Sequence, residues 1–254
     1  MKTFFFAFLA IMVLTGVGGF ADAAEELTAR EIVKRQDDLM RGDTLKGRYV
    51  MTVTTPSWQR RLEIDVWSEG RDKTFLRILS PQKEAGTSTL RLDKSMWNYL
   101  PKIERTIKIP PSMMLQPWMG SDFANDDLVK ESSIVNDYDH TLLGVENIAG
   151  ASVYKIELLP KPHAAVAWGK IIFWILQEGL APLREEYYDE HGRLIKTLEF
   201  SAIKKMTDRN IPTVWTMRPR NKEGHKTVIE VVNAEYNVPI EESVFSLGNL
   251  KRTR

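Results

Sequence analysis

The residues able to do covalent or metal chemistry are few and scattered. The four histidines, His140, His163, His191 and His225, lie far apart in the chain. His191 and His225 fall in stretches that read as turns, where a solvated imidazole is the expected state. Glu185-Glu186 and Glu241-Glu242 are adjacent carboxylates, too common a pattern to mark an acid and base pair. Asp122, Asp126 and Asp127 supply oxygen ligands, but their spacing departs from the D-x-[DN]-x-[DN]-G calcium loop. Asn136-Asp137-Tyr138-Asp139-His140 has ligand types without a second cluster to complete a site, and reads as the polar face of a strand. The chain has no G-x-S-x-G elbow, phosphate-binding loop, H-E-x-x-H or dinucleotide fingerprint. No enzyme, cofactor or metal centre is expected.

The chemistry the sequence does offer is apolar contact. Met96 to Asp127 places aromatic and Met side chains beside a Pro-rich break. Trp97 and Tyr99 alternate in a short strand. Ile103, Arg105, Ile107 and Ile109 keep the period of two until Pro110 and Pro111, which have no N–H to donate to a ladder. Met113, Met114, Leu115, Trp118 and Met119 then form a segment unusually apolar for a loop. Two readings stand: the segment plugs its own core, or it is a flap whose adaptable Met side chains meet a partner of variable shape.

The elements that must position this segment are mostly strands. Residues 1–23 have the form of an export signal, with Lys2, an apolar run from Phe4 to Val17, and Ala21-Asp22-Ala23 at the cleavage site. The run is short for the ~20 residues that span a bilayer, which disfavours the alternative of a membrane anchor. Thr28 and Glu31 form a capping box that starts a helix, with Leu27 and Ile32 placed as a hydrophobic staple and Gly42 as its end. Ile32, Val33, Leu39 and Met40, with Gln36 among them, form its dry stripe. From Leu45 the period changes to two: Tyr49, Met51 and Val53 alternate, then Leu62, Ile64 and Val66 alternate with Arg61, Glu63 and Asp65, and Leu76 and Ile78 flank Arg77. This is a meander with one dry face. Strands follow at 87–92 and 96–100, then at 153–159, 170–177, 182–189, 193–206, 212–219 and 226–236. Ile171 to Leu176 is apolar on both faces, so one face should meet the interior and the other a covering helix or partner. Phe245, Leu247 and Leu250 read as a closing plug.

Composition narrows the class. With no Cys there is neither a disulfide nor a lipid-attached cysteine. The 35 basic and 34 acidic residues give a net charge of +1, which offers nucleic acid no electrostatic footing. Residues 24–254 carry no linker or repeat, and one domain is expected.

WNYLPKIERTIKI followed by MGSDFANDDL resembles the signature of the outer-membrane lipoprotein-sorting protein family, relatives of the periplasmic lipoprotein carrier LolA. The likeness runs from Leu45 to the closing VPIEESVFSLGNLKR. It implies a mainly β fold, an antiparallel, incompletely closed β-barrel whose curved sheet lies under a few covering helices. It also implies a periplasmic, exported carrier of lipid or lipoprotein acyl chains, and possible partnership with an RND-type lipid exporter. A fully covered sixteen-carbon tail would gain on the order of 12 kcal/mol at ~0.8 kcal/mol per methylene. On this reading Trp97, Tyr99, Met113, Met114, Trp118, Met119 and Phe123 line the mouth, and Leu62, Ile64, Val66, Leu76 and Ile78 the wall. The alternatives are an outer-membrane β-barrel, in which the dry face points to lipid, and a sheet-based adaptor using the Trp118 region as a hot spot.

Overall fold

The computed structural model describes residues 27–125, 127, 134–162, 164, 166 and 168–252. The export signal expected at 1–23, together with Asp126, Leu128, His163 and the last two residues, lies outside the described residues. Helix α1, Ala29–Arg41, begins at the expected capping box: Glu31 N donates to Thr28 Oγ1 at 3.2 Å, and Thr28 N to Glu31 Oε2 at 2.8 Å. It ends where Gly42, at φ 63°, donates its N–H to the Asp38 carbonyl. A positive φ there suits the one residue without a Cβ.

Thirteen strands form one antiparallel sheet. In chain order they are β1 Thr44–Thr54, β2 Gln59–Glu69, β3 Lys73–Ser80, β4 Ser88–Leu92, β5 Ser95–Leu100, β6 Arg105–Lys108, β7 Tyr138–Ile148, β8 Ala151–Pro160, β9 Lys170–Leu176, β10 Pro182–Tyr188, β11 Leu194–Met206, β12 Arg209–Pro219 and β13 Lys226–Tyr236. Their spatial order is β6-β5-β4-β3-β2-β1-β13-β12-β11-β10-β9-β8-β7. Two meanders therefore join through the single non-sequential pair β1 and β13, and β6 and β7 are the ends of an open sheet. A lipid-spanning barrel must close, because hydrocarbon cannot satisfy free edges. The open sheet and its covered dry face are the incompletely closed barrel expected from the sequence, and they do not match the outer-membrane barrel alternative. Among the described residues no helix is long and apolar enough to cross a membrane.

One face of the sheet is concave and dry. On its β7–β9 side, Ala29, Ile32 and Val33 of α1 pack with Ile156, Leu158, Ile171, Phe173 and Ile175. On the β1–β5 side the segment after β6 folds back over the sheet, and its Ile109, Trp118 and Phe123 join Leu62, Ile64, Met96 and their neighbours. The opposite face carries two smaller apolar patches. One holds Phe75, Leu90 and Tyr99 under Phe245 and Leu250, the latter in α2, Leu247–Leu250. This is the expected closing plug, except that Leu247 remains exposed. The other holds Val153, Ile172 and Trp174. No helix among the described residues packs on Trp174; instead Lys155 and Arg184 lie over its ring, each 5.3 Å from the centroid, and its Nε1 donates to Glu146. The second dry face of β9 is covered by the stems of charged side chains.

Candidate functional site

Between α1 and the folded-back segment the concave face stays open as a cavity of about 220 Å³. At about 30 Å³ per water in the liquid, it has room for on the order of seven waters. Its floor is built by alternation: Tyr49 and Met51 of β1, Ile64 and Val66 of β2, Leu76 of β3, Leu198 and Phe200 of β11, Trp215 and Met217 of β12, and Ile229 of β13. Three rings interlock there, Trp215 standing edge-on to Tyr49 at 5.7 Å and to Phe200 at 6.2 Å. The Trp215 Nε1 is satisfied by the Pro212 carbonyl at 2.9 Å, so the indole adds apolar surface without a free donor. α1 contributes Gln36, Asp37, Met40 and Arg41, and the folded-back segment Trp118 and Phe123.

Two polar groupings border this apolar middle. At the C-terminal end of α1, Asp37 pairs with Arg41 at 3.1 Å and with Arg71, which also reaches Asp38 at 2.8 Å. Burial lowers the pKa of Arg71 from its ordinary value, with Asp72 opposing. Elsewhere, Lys196 of β11 binds both oxygens of Asp127 at 2.6 and 2.7 Å. Its ammonium lies 4.6 Å from the Trp168 ring centroid and 4.9 Å from that of Tyr187. Tyr187 in turn donates its hydroxyl proton to the buried Glu185 carboxylate. Asp127 also accepts the Ala124 N–H. Among the described residues there is no grouping of three or more His, Asp or Glu side chains able to hold a metal.

The structure separates the twelve residues expected to line the site. Ile64, Val66, Leu76, Trp118 and Phe123 line the cavity. Leu62 and Ile78 share its face but are buried in the core cluster beside it, against which Met114 and Met119 pack. Met113 is 43% exposed and offers its carbonyl to Asn125. Trp97 and Tyr99 point away, to the opposite face, with Phe75 and Leu90. The mouth expected of them is corrected by parity. Met96 belongs to the concave face, and a period of two sends 97 and 99 to the other side. Sequence reading missed Leu198, Phe200, Trp215, Met217 and Ile229; their alternation was visible, but alternation does not tell inside from outside.

A family model described as "-like: Uncharacterized protein" matches residues 70–252. No curated protein matches the chain. Among solved structures, a DUF1329 family protein from Desulfovibrio piger is 25% identical, with 87% of this chain and 97% of that one covered at a TM-score of 0.82. A structure described as an outer membrane lipoprotein-sorting protein domain from Vibrio parahaemolyticus is 23% identical, covering 88% and 98%, with a TM-score of 0.76. A LolA superfamily protein from Nitrosomonas europaea is 22% identical, covering 88% and 100%, with a TM-score of 0.75. The fold is thus LolA-like, and the chain belongs to the family whose model matches residues 70–252.

Proposed function

We propose that this chain is an exported carrier that takes one acyl chain of a lipid or lipoprotein into its cavity and hands it between membranes without covalent chemistry. On this reading residues 1–23 are removed on export, residues 24–254 act as one domain, and the working compartment is the periplasm. The observation that carries the reading is the open, aromatic-walled cavity under α1, whose largest floor side chain, Trp215, has its polar atom already satisfied by the Pro212 carbonyl. A well-packed core leaves few voids larger than a water, so this much apolar space is a feature that needs a guest. The LolA-like fold supports the same reading. No feature of the described residues selects an RND-type exporter as recipient.

The test uses donor vesicles carrying a fluorescent palmitoyl lipid and unlabelled acceptor vesicles. Protein lacking residues 1–23 should speed transfer in proportion to its concentration. Ile229→Trp, which fills the cavity from its floor, should cut that rate at least several-fold while the circular dichroism spectrum is kept. Transfer no faster than spontaneous exchange, or an Ile229→Trp rate equal to wild type, contradicts the reading.

A further inference from the structure

One end of the cavity is polar in a way the apolar guest does not explain. Gln36 is 7% exposed and Ser68 6% exposed, and both line the cavity together with Thr74. Ser68 and Thr74 are direct cross-strand partners on β2 and β3, three residues either side of Arg71. Arg71 is tied to Asp37, the neighbour of Gln36, so the three side chains share one end. Among the described residues none of the three has a side-chain hydrogen-bond partner. Their polar groups open onto the cavity instead of being sealed in the core, Thr74 being only half-buried, so three at one spot form a set of donors that an acceptor in the cavity can meet. Asp37, the one carboxylate beside them on the wall, is already neutralised by Arg41 and Arg71. The other polar grouping has the opposite character, with the Glu185 and Asp127 carboxylates already holding the Tyr187 hydroxyl and the Lys196 ammonium.

We propose that Gln36, Ser68 and Thr74 form a subsite for the carboxyl oxygens of the acyl chain, as free acid or ester, so that the chain enters in one orientation with its tail along the wall of Phe200 and Trp215. The subsite rests on the carrier reading and adds a head-end specificity to it. The Gln36 amide and the two hydroxyls donate to the carboxyl oxygens, and the nearby guanidiniums favour the partial or full negative charge there.

The experiment titrates the intrinsic fluorescence of the protein, whose Trp118 and Trp215 line the cavity, with dodecanoic acid, monododecanoylglycerol and dodecane. The readout is the affinity for acid or ester relative to dodecane. Gln36→Leu combined with Ser68→Ala should lower that ratio by roughly tenfold or more, the equivalent of one or two lost hydrogen bonds, and should bind dodecane at least as tightly as wild type. Thr74→Val, which keeps the side chain's shape, should lower it in the same direction should the double variant fail to fold. A fall confined to the acid assigns the subsite to free fatty acids, and one confined to the ester assigns it to glycerolipids. A ratio unchanged in both variants means these groups face water only and overturns the subsite while leaving the carrier standing. Wild-type protein that binds none of the three ligands overturns both.

Discussion

Lys196 brings an ammonium to Asp127, Trp168 and Tyr187, which wall an apolar cavity, with its own side chain 5% exposed. Among the described residues, Asp127 and the faces of Trp168 and Tyr187 compensate it. Removing one partner of such a buried pair strands the other charge, at a cost of about 3–5 kcal/mol, whereas replacing both by apolar groups can be near neutral. Lys196→Met should therefore lower unfolding stability in urea by about 3 kcal/mol, and adding Asp127→Leu should recover most of it. Additive losses in the pair would show that the two side chains do not depend on each other. His140 gives the pH dependence. Burial lowers its pKa below the ordinary 6.5, with the Ile134 carbonyl contact opposing and Arg30 and Lys161 adding to the effect. Between the folded and unfolded values the unfolded chain binds more protons, so stability from the neutral imidazole is present above about 6.5 and lost as pH falls through the folded value. The urea midpoint of the wild type should fall more steeply from pH 7 to pH 5.5 than that of His140→Gln; parallel profiles would remove His140 from the account. The cap of α1 was legible because Thr28 and Glu31 are three residues apart. Lys196 was not, because its partner lies 69 residues away in the chain.

At the scale of elements, the segment after β6 is anchored rather than loose. Trp118 is 3% exposed, donates its Nε1–H to Thr89 at 3.2 Å, and its backbone N–H bonds the Phe123 carbonyl. Ser121 closes the same turn, and Asp122 reaches across to Thr227. The readings of plug and flap meet here: Trp118 and Phe123 fill the core on one side and wall the cavity on the other. Trp118→Ala should cost about 3–5 kcal/mol, as large-to-small core changes do, and amide protons at 118–125 should exchange faster than those of β1. Exchange unchanged in that segment would mean that something other than Trp118 holds it. Most strands were legible from alternation and turn residues, to within a few positions at each end. β7 was missed beyond its first polar residues, for a local reason. Its register shifts between Leu142 and Gly144, so Leu143 is an extra residue that breaks the period of two. The Trp97 and Tyr99 error is of another kind. Both lie in a correctly read strand, and only the tertiary partner, the α2 segment, reveals which face they occupy.

The whole molecule is an open sheet whose concave side is filled at both flanks and hollow between. α1 packs its first half over β8 and β9 and brings Leu39 and Met40 to the cluster of the first meander, which the folded-back segment covers. The gap falls where the chain closes its topology, on β1 and β13 and the strands beside them. That position was not legible, because the pairing of the first strand with the last depends on the whole chain. The apolar character of the floor was legible. A guest that binds the folded state alone stabilises it by about 2.7 kcal/mol at one hundred times its dissociation constant. The most direct measurement is native mass spectrometry of the protein purified without detergent from its own cells. The account predicts a fraction of molecules carrying one noncovalent adduct with a mass in the lipid range, lost in Ile229→Trp. Wild-type protein found at its bare chain mass throughout, and remaining so after incubation with lipid vesicles, would contradict it.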